Sequence, residues 1–296
     1  MIHSDIRSHD SIVSAWTEQL LVNGYCVIPG LLPRETIAEL DGDLAQDFEA
    51  TPFCRGGFYG ERTKRFGRLL VRSPRSADIV QHPLVTGIVE RVLSPWCDTI
   101  QLNLTQAIAV HPGALPQLPH RDQDMWRGAV GEVEYLVNVM WPFTDYTREN
   151  GATLMWPESH GPRALDPEIP ATQFPVELEP GSALLFLGST LHGAGGNSTS
   201  EIRRGAIVSY CLGWLKPYEN QWLAYPPEVA RGFAPELAAL AGYRQHRPNL
   251  GNFEGQCPSI LLKGEPAARI GAEDALRPDQ TELVADYVAD QKRRAA

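Results

Sequence analysis

The stretch "TIQLNLTQAIAVHPG", Thr99 to Gly113, alternates apolar with polar residues, is rich in Ile, Leu, Thr and Val, and closes on a Pro-Gly turn. Period-two alternation of such residues is the signature of a half-buried β-strand. Further strands are expected on either side of the later turns. "EVEYLVNVMWPF" (132–143) alternates in the same way, and the apolar runs "SALLFLG" (182–188) and "RGAIVSYCLGWL" (204–215) are further strand candidates. The segments are parted by "HPGALP", "PESHGPR" and "LEPGS" with no long helical pattern between them, which favours a sandwich or barrel over a parallel βαβ sheet. Residues 98–215 therefore read as a mainly β core.

The flanks read as helical. Ile12, Val13, Trp16, Leu20 and Leu21 recur at helical spacing, and Gly24 offers a left-handed stop. A short strand "YCVIPG" follows, then one helix over "PRETIAELDGDLAQDF" (33–48) with Pro33 near its start and acids in its first half. Residues 50–75 combine Gly, aromatics and basic residues without a sustained period, the pattern of a long loop with a short strand near "RLLV". Helical spacing returns in "SADIVQHPLVTGIVERVL", where Pro83 marks a break or a second helix, and beyond Pro217 in "PELAALAGYRQH" and "TELVADYVADQKRR". There is no internal repeat and no low-complexity segment. The 296 residues are read as one domain, 1–296, with helical N- and C-terminal flanks.

Charge and cysteine usage narrow the function. A formal net charge of -10 gives no electrostatic drive toward a phosphate backbone, so nucleic acid is not an expected partner. Five widely spaced cysteines without a C-x-x-C pair suggest neither a disulfide framework nor a zinc ribbon. No apolar run approaches the ~20 residues that cross a bilayer, and the N-terminus lacks the features of a leader. A cytoplasmic protein without membrane association is the expectation. The N-x-T matches at Asn103 and Asn197 are read as structural.

Directly after the first strand lies "QLPHRDQDMW", Gln117 to Trp126. Two-residue spacing at a strand end lets His120 and Asp122 leave on the same side and share one ion. His192, in "FLGSTLHGAGGN" just past another apolar strand, is the best third ligand. Two His and one carboxylate with adjacent positions open is the arrangement of non-haem Fe(II) oxygenases. On residue type alone Asp124 rivals Asp122. Downstream, Arg203 and Arg204 enter a strand; an Arg in a β core needs a carboxylate, which a dicarboxylate cosubstrate would provide. Adjacent strand residues face opposite ways, so only one is expected inside. Arg203 is preferred, with Arg204 the alternative.

At these residues the chain resembles the phytanoyl-CoA dioxygenase-like branch of the Fe(II)- and 2-oxoglutarate-dependent oxygenases, a branch with many natural-product tailoring enzymes. The resemblance runs from about Tyr25 to about Trp222 and is densest in "QLPHRDQDMW", "WPFTDYTRENGATLMWPESHG", "EPGSALLFLGSTLHGAGGN" and "RRGAIVSYCLGWLKPYENQ". It implies a double-stranded β-helix core (jelly roll, cupin-like) and an iron held by His120, Asp122 and His192. It also implies that Arg203, eleven positions after His192, binds the distal carboxylate of 2-oxoglutarate, with Gln117, Thr153 and Arg65 as further cosubstrate contacts and O2 as oxidant. The chain has "PESH" where many relatives have P-G-S-H, which bears on the turn and not on the metal. His160, His111 and His82 are read as structural.

The expected activity is oxidation of a small hydrophobic metabolite, by hydroxylation or by desaturation or rearrangement, in natural-product biosynthesis. Met140, Cys211 and the aromatics of "GGFYG" are the expected pocket lining. The alternative from another class is a Zn(II) hydrolase or isomerase on the same barrel, since zinc accepts the same ligands. A binding module without catalysis is a third reading.

Overall fold

The computed structural model describes residues 2–166, 168–264 and 268–295. Its strands are β1 (Tyr25–Ile28), β2 (Thr63–Phe66), β3 (Ile100–Val110), β4 (Leu136–Pro142), β5 (Thr153–Met155), β6 (Phe174–Val176), β7 (Ala183–Leu187), β8 (His192–Ala194) and β9 (Arg203–Leu212). They form two antiparallel sheets, β1-β7-β4-β9-β3-β2 and β6-β5-β8. The sheets close over a core of Ile108, Met140, Met155, Val176, Leu184 and Ile207, making the double-stranded β-helix, or jelly roll.

Helices cover the other face of the large sheet. They are α1 (Ile2–Asn23), α2 (Arg34–Asp43), α3 (Ala45–Ala50), α4 (Leu69–Arg72), α5 (Ser76–Val80), α6 (Pro83–Leu93), α7 (Gln221–Ala224), α8 (Pro227–Ala230) and α9 (Pro235–Leu240); a further helix, α10 (Pro278–Ala295), buries none of its residues and takes no part in that cover. Val137, Val139, Leu185, Leu187 and Val208 point toward Leu20, Leu40, Ile88 and Val89 of these helices in one continuous core. The neighbours Met140, Leu184, Phe186 and Ile207 face the barrel interior. This division follows from the two-residue period of the strand.

Within β3 that period is interrupted. A register shift against β9 falls between Leu102 and Leu104, leaving Asn103 as the extra residue. Ile100 and Leu102 pack toward the helices, whereas Ile108 and Val110 pack inside the barrel. A bulge of this kind inserts one residue and re-aims the side chains beyond it. Both Asn103 and Leu104 reach the interior cavity as a result.

Three expected elements differ. The "RLLV" segment is the short helix α4, entered through Arg68 at φ 60, and the strand of that region is "TKRF", β2, paired with β3. Short apolar runs fit either element, and antiparallel pairing with β3 selects the earlier one. The helix expected over 33–48 is divided at Leu44 into α2 and α3. The "PELAALAGYRQH" helix stops at Leu240, where Gly242 turns the chain at φ +94. Pro83 begins a separate helix, α6, and Gly24 ends α1 at φ +81, where a Cβ would lie 2.6 Å from His160 Nδ1. Among the described residues the cysteines are free and no helix is long and apolar enough to cross a membrane.

Candidate active site

The jelly roll brings His120, Asp122 and His192 together. His120 and His192 form an isolated antiparallel bridge, each backbone N–H donating to the other's carbonyl (2.9 and 3.0 Å). The strand character at His120 extends no further than this bridge, and Asp122 opens a 3-10 turn, Asp122–Met125. Asp122 Oδ1 lies 3.4 Å from His120 Nε2, and Oδ2 lies 3.5 Å from His192 Nε2. All three donor atoms fall within 4.8 Å of one another. Donors bound about 2.1 Å from one ion lie roughly 3 to 3.5 Å apart when adjacent, so the set fits a single metal. Asp124 is exposed and stands outside the cluster.

Each imidazole is oriented in the same way. His120 Nδ1 donates to the Leu118 carbonyl (2.8 Å), and His192 Nδ1 donates to the Thr190 carbonyl (3.0 Å). A carbonyl can only accept, so the proton sits on Nδ1 and the Nε2 lone pair is left for a metal. Phe58 meets the His120 ring edge-on at 4.9 Å, and Phe186 packs 4.6 Å from the His192 ring. Asn138 Nδ2 donates to Asp122 Oδ2 (2.9 Å).

Protonation favours the same reading. Burial, opposed by Asp122, pulls His192 down to about 4. Burial would raise the Asp122 carboxyl, but His192, His120 and the Asn138 amide outweigh it and hold the group at about 2. Burial also pulls His120 down, and the adjacent Asp122 more than compensates, so its net shift is upward. At neutral pH the site therefore holds an ionised carboxylate beside a neutral, unprotonated His192.

The triad opens on a cavity of about 370 Å3, within the range of ~300–1,000 Å3 typical of small-molecule sites. Arg203 lies in it, 2% exposed, with one guanidinium N–H donating to the Gly151 carbonyl (2.8 Å) and its plane 4.3 Å from the Tyr146 ring centre. Arg204 points the other way, toward the helices, where it pairs with Asp41 of α2 and lies over Phe48 of α3. Strand alternation thus separates the two candidates. Arg65 reaches the same cavity from β2, bonds Gln106 (3.1 Å) and stacks 5.1 Å over Tyr59. Burial and the nearby Arg203 lower its pKa. Gln117 and Thr153 line the same wall, and Gln117 Oε1 accepts from the Ala194 N–H (3.3 Å).

Two buried guanidiniums in one cavity pose an electrostatic problem. Among the described residues neither Arg203 nor Arg65 has a carboxylate partner, and the Nε of each is buried without an acceptor. A buried charge is costly unless paired. The donor set fits an anion with two carboxylates next to the metal site.

Met140, Phe58 and Tyr59 line the cavity as expected, but Cys211 does not. It is buried in the helix-facing core beyond the cavity floor. His160 is structural: its Nε2 donates to the Leu21 carbonyl (2.7 Å). Sequence reasoning missed Asn138, Asn103 and Tyr218. Tyr218 bonds Tyr59 hydroxyl to hydroxyl, and its N–H donates to Asn103 Oδ1 (2.7 Å). A lone Asn in the apolar run "LVNVMWP" was the one available signal, since a buried amide needs partners.

A jelly roll that presents two imidazoles and a carboxylate beside buried arginines defines the class of mononuclear metal-dependent oxygenases. Residues 20–205 match the phytanoyl-CoA dioxygenase (PhyH) family. The chain belongs to that family and is a dioxygenase. The multifunctional dioxygenase prhA of Penicillium brasilianum is 30% identical over 259 residues, covering 80% of this chain and 83% of that protein. The dioxygenase trt7 of Aspergillus terreus is 28% identical over 249 residues, covering 80% and 87%. Among solved structures, the non-heme alpha ketoglutarate dependent epimerase SnoN from nogalamycin biosynthesis superposes with a TM-score of 0.59 at 19% identity, over 70% of this chain and 86% of that one. HygX from Streptomyces hygroscopicus, solved with nickel, 2-oxoglutarate and hygromycin B, gives a TM-score of 0.54 at 15% identity, over 68% and 88%. At these identities the two structures show the shared fold.

Proposed function

We propose that His120, Asp122 and His192 hold Fe(II), that Arg203 binds the distal carboxylate of 2-oxoglutarate, and that the substrate is a small apolar metabolite of natural-product type. Residues 1–296 act in this reading as one catalytic unit. The observation that carries it is the convergence of two imidazoles and a carboxylate beside two buried guanidiniums that lack carboxylate partners among the described residues. When bound, the iron supplies the redox step in which O2 and 2-oxoglutarate yield succinate and carbon dioxide while a C–H of the substrate is oxidised.

The chain's own residues do the rest. Arg203 clamps one carboxylate as a planar fork. Arg65 meets the other end of the cosubstrate, and Gln117 and Thr153 fix its position along β5 and β8. Asn138 keeps Asp122 turned toward the two imidazoles. Leu104, Leu136, Met140 and Ile207 supply an apolar wall, and Phe58, Tyr59 and Tyr218 exclude water at the mouth. The nogalamycin and hygromycin B contexts named for the structural neighbours, and the fungal dioxygenases among the relatives, support a natural product as the guest.

The deciding experiment is an anaerobic optical titration of the metal-free protein with Fe(II) and then 2-oxoglutarate. A weak visible charge-transfer band that is absent from the His192→Ala variant is the expected result. Iron bound without such a band would instead favour a non-redox hydrolase or isomerase on this barrel.

A further inference from the structure

The helix α10 (Pro278–Ala295) is about 27 Å long at 1.5 Å per residue, and none of its residues is buried. Leu283, Val284, Tyr287 and Val288 are 69%, 42%, 66% and 40% exposed. With Gln280 and Gln291 they recur at three- and four-residue intervals and form one face. A helix of this length is marginal in water unless such a face is covered.

We propose that α10 pairs antiparallel with α10 of a second copy of this chain, forming a two-fold dimer. A two-fold interface must be self-complementary, each patch meeting its own image. The face of α10 has that property. About the point between Ala285 and Asp286, Gln280 mirrors Gln291, Leu283 mirrors Val288, and Val284 mirrors Tyr287. An antiparallel pair thus sets apolar on apolar at the centre and amide on amide at each end.

Charge complementarity selects the same partner and the same direction. The first half of α10 carries Asp279, Glu282 and Asp286, and the last turn carries Lys292, Arg293 and Arg294. Antiparallel copies place the acidic half of one beside the basic end of the other and oppose their dipoles. Parallel copies would set like charges together. Arg293 and Arg294 share Asp290 within the helix, whereas Glu282, Asp286 and Lys292 have no ion-pair partner among the described residues. These charges are available to the second copy.

The test is sedimentation equilibrium of the full chain and its variants. The parent is expected to be a concentration-dependent dimer. Tyr287→Asp is expected to weaken it at least tenfold, with unchanged circular dichroism and unchanged substrate-independent 2-oxoglutarate consumption. Reversing the basic end (Lys292→Glu, Arg293→Glu, Arg294→Glu) or the acidic half (Asp279→Lys, Glu282→Lys, Asp286→Lys) should each give monomers, and mixing the two should restore dimers. Direction is read by cross-linking: Gln280→Cys should couple to Gln291→Cys and not to itself. A monomeric parent, a dimer that survives Tyr287→Asp and both reversals, or self-coupling of Gln280→Cys would overturn the proposal.

Discussion

Asn138 Nδ2 stands 2.9 Å from Asp122 Oδ2, and Asn138 Oδ1 is buried without a partner on the wall of the same cavity. The amide therefore serves the carboxylate: an ionised Asp needs a donor, so the nitrogen end must face it. Groups that orient a metal ligand typically contribute 10–100-fold to metal affinity or activity. Asn138→Ala is expected to weaken Fe(II) binding within about that range, read by competition with a chelator dye, while the fold is kept. An unchanged affinity would show that Asp122 is held by its neighbours alone.

The two adjacent arginines of β9 should separate cleanly. Arg203→Ala removes the buried guanidinium from the cavity and is expected to cost about 2–5 kcal/mol of cosubstrate binding, roughly 30-fold or more in the 2-oxoglutarate KM. Arg204→Ala breaks the partly exposed pair with Asp41 and is expected to cost about 1 kcal/mol of stability, with the KM unchanged. Steady-state kinetics and urea unfolding on both variants check the pair. A raised KM in Arg204→Ala alone would reverse the assignment.

These contrasts mark what was legible in the sequence. The strands β3, β4, β7 and β9 were legible as strand-like runs, and a period of two fixes which of their side chains share a face. His120 and Asp122 were paired by the same period, whereas it is the 3-10 turn opening at Asp122 that brings the carboxylate to the imidazole. The choice between Arg203 and Arg204 needed the register of β9 against β3 and β4. Asn103 was hidden because apolar residues continue at every second position through the bulge, so nothing local announces the extra residue. Asn138 and Glu134 sit in apolar strand neighbourhoods, and what they bond lies far along the chain: Ser189 for Glu134, Asp122 for Asn138. The short helix α4 and the strand β2 were exchanged because the apolar run "LLV" is too short to carry a period of its own and "TKRF" has a single large apolar side chain to mark it as a strand.

Ligand-linked stability gives a test that does not need the substrate. A ligand that binds only the folded state at about 100 times its Kd adds about 2.7 kcal/mol, a shift of several degrees in Tm for a chain of this size. Ni(II) is expected to raise Tm in the parent, and 2-oxoglutarate to raise it further only when the metal is present. In Arg203→Ala the metal increment should persist and the 2-oxoglutarate increment should shrink. If 2-oxoglutarate stabilises the metal-free protein as strongly, the cosubstrate is bound elsewhere.

Glu134 gives the fold a pH dependence of its own. Its buried carboxyl accepts from the Ser189 hydroxyl, three residues before His192, and burial pushes it up to about 7 against an ordinary 4.5. Between these values the folded protein keeps a proton that the unfolded chain has released, so stability falls as pH rises from about 4.5 to 7 and is level above that window. The full difference is on the order of 3 kcal/mol. Glu134→Gln keeps the shape and an acceptor for Ser189 while removing the ionisation. The variant is expected to lose most of this slope and to melt above the parent at pH 8 but not at pH 5. Parallel Tm curves for the two proteins from pH 4.5 to 8 would mean that Glu134 ionises in the fold as it does in the unfolded chain.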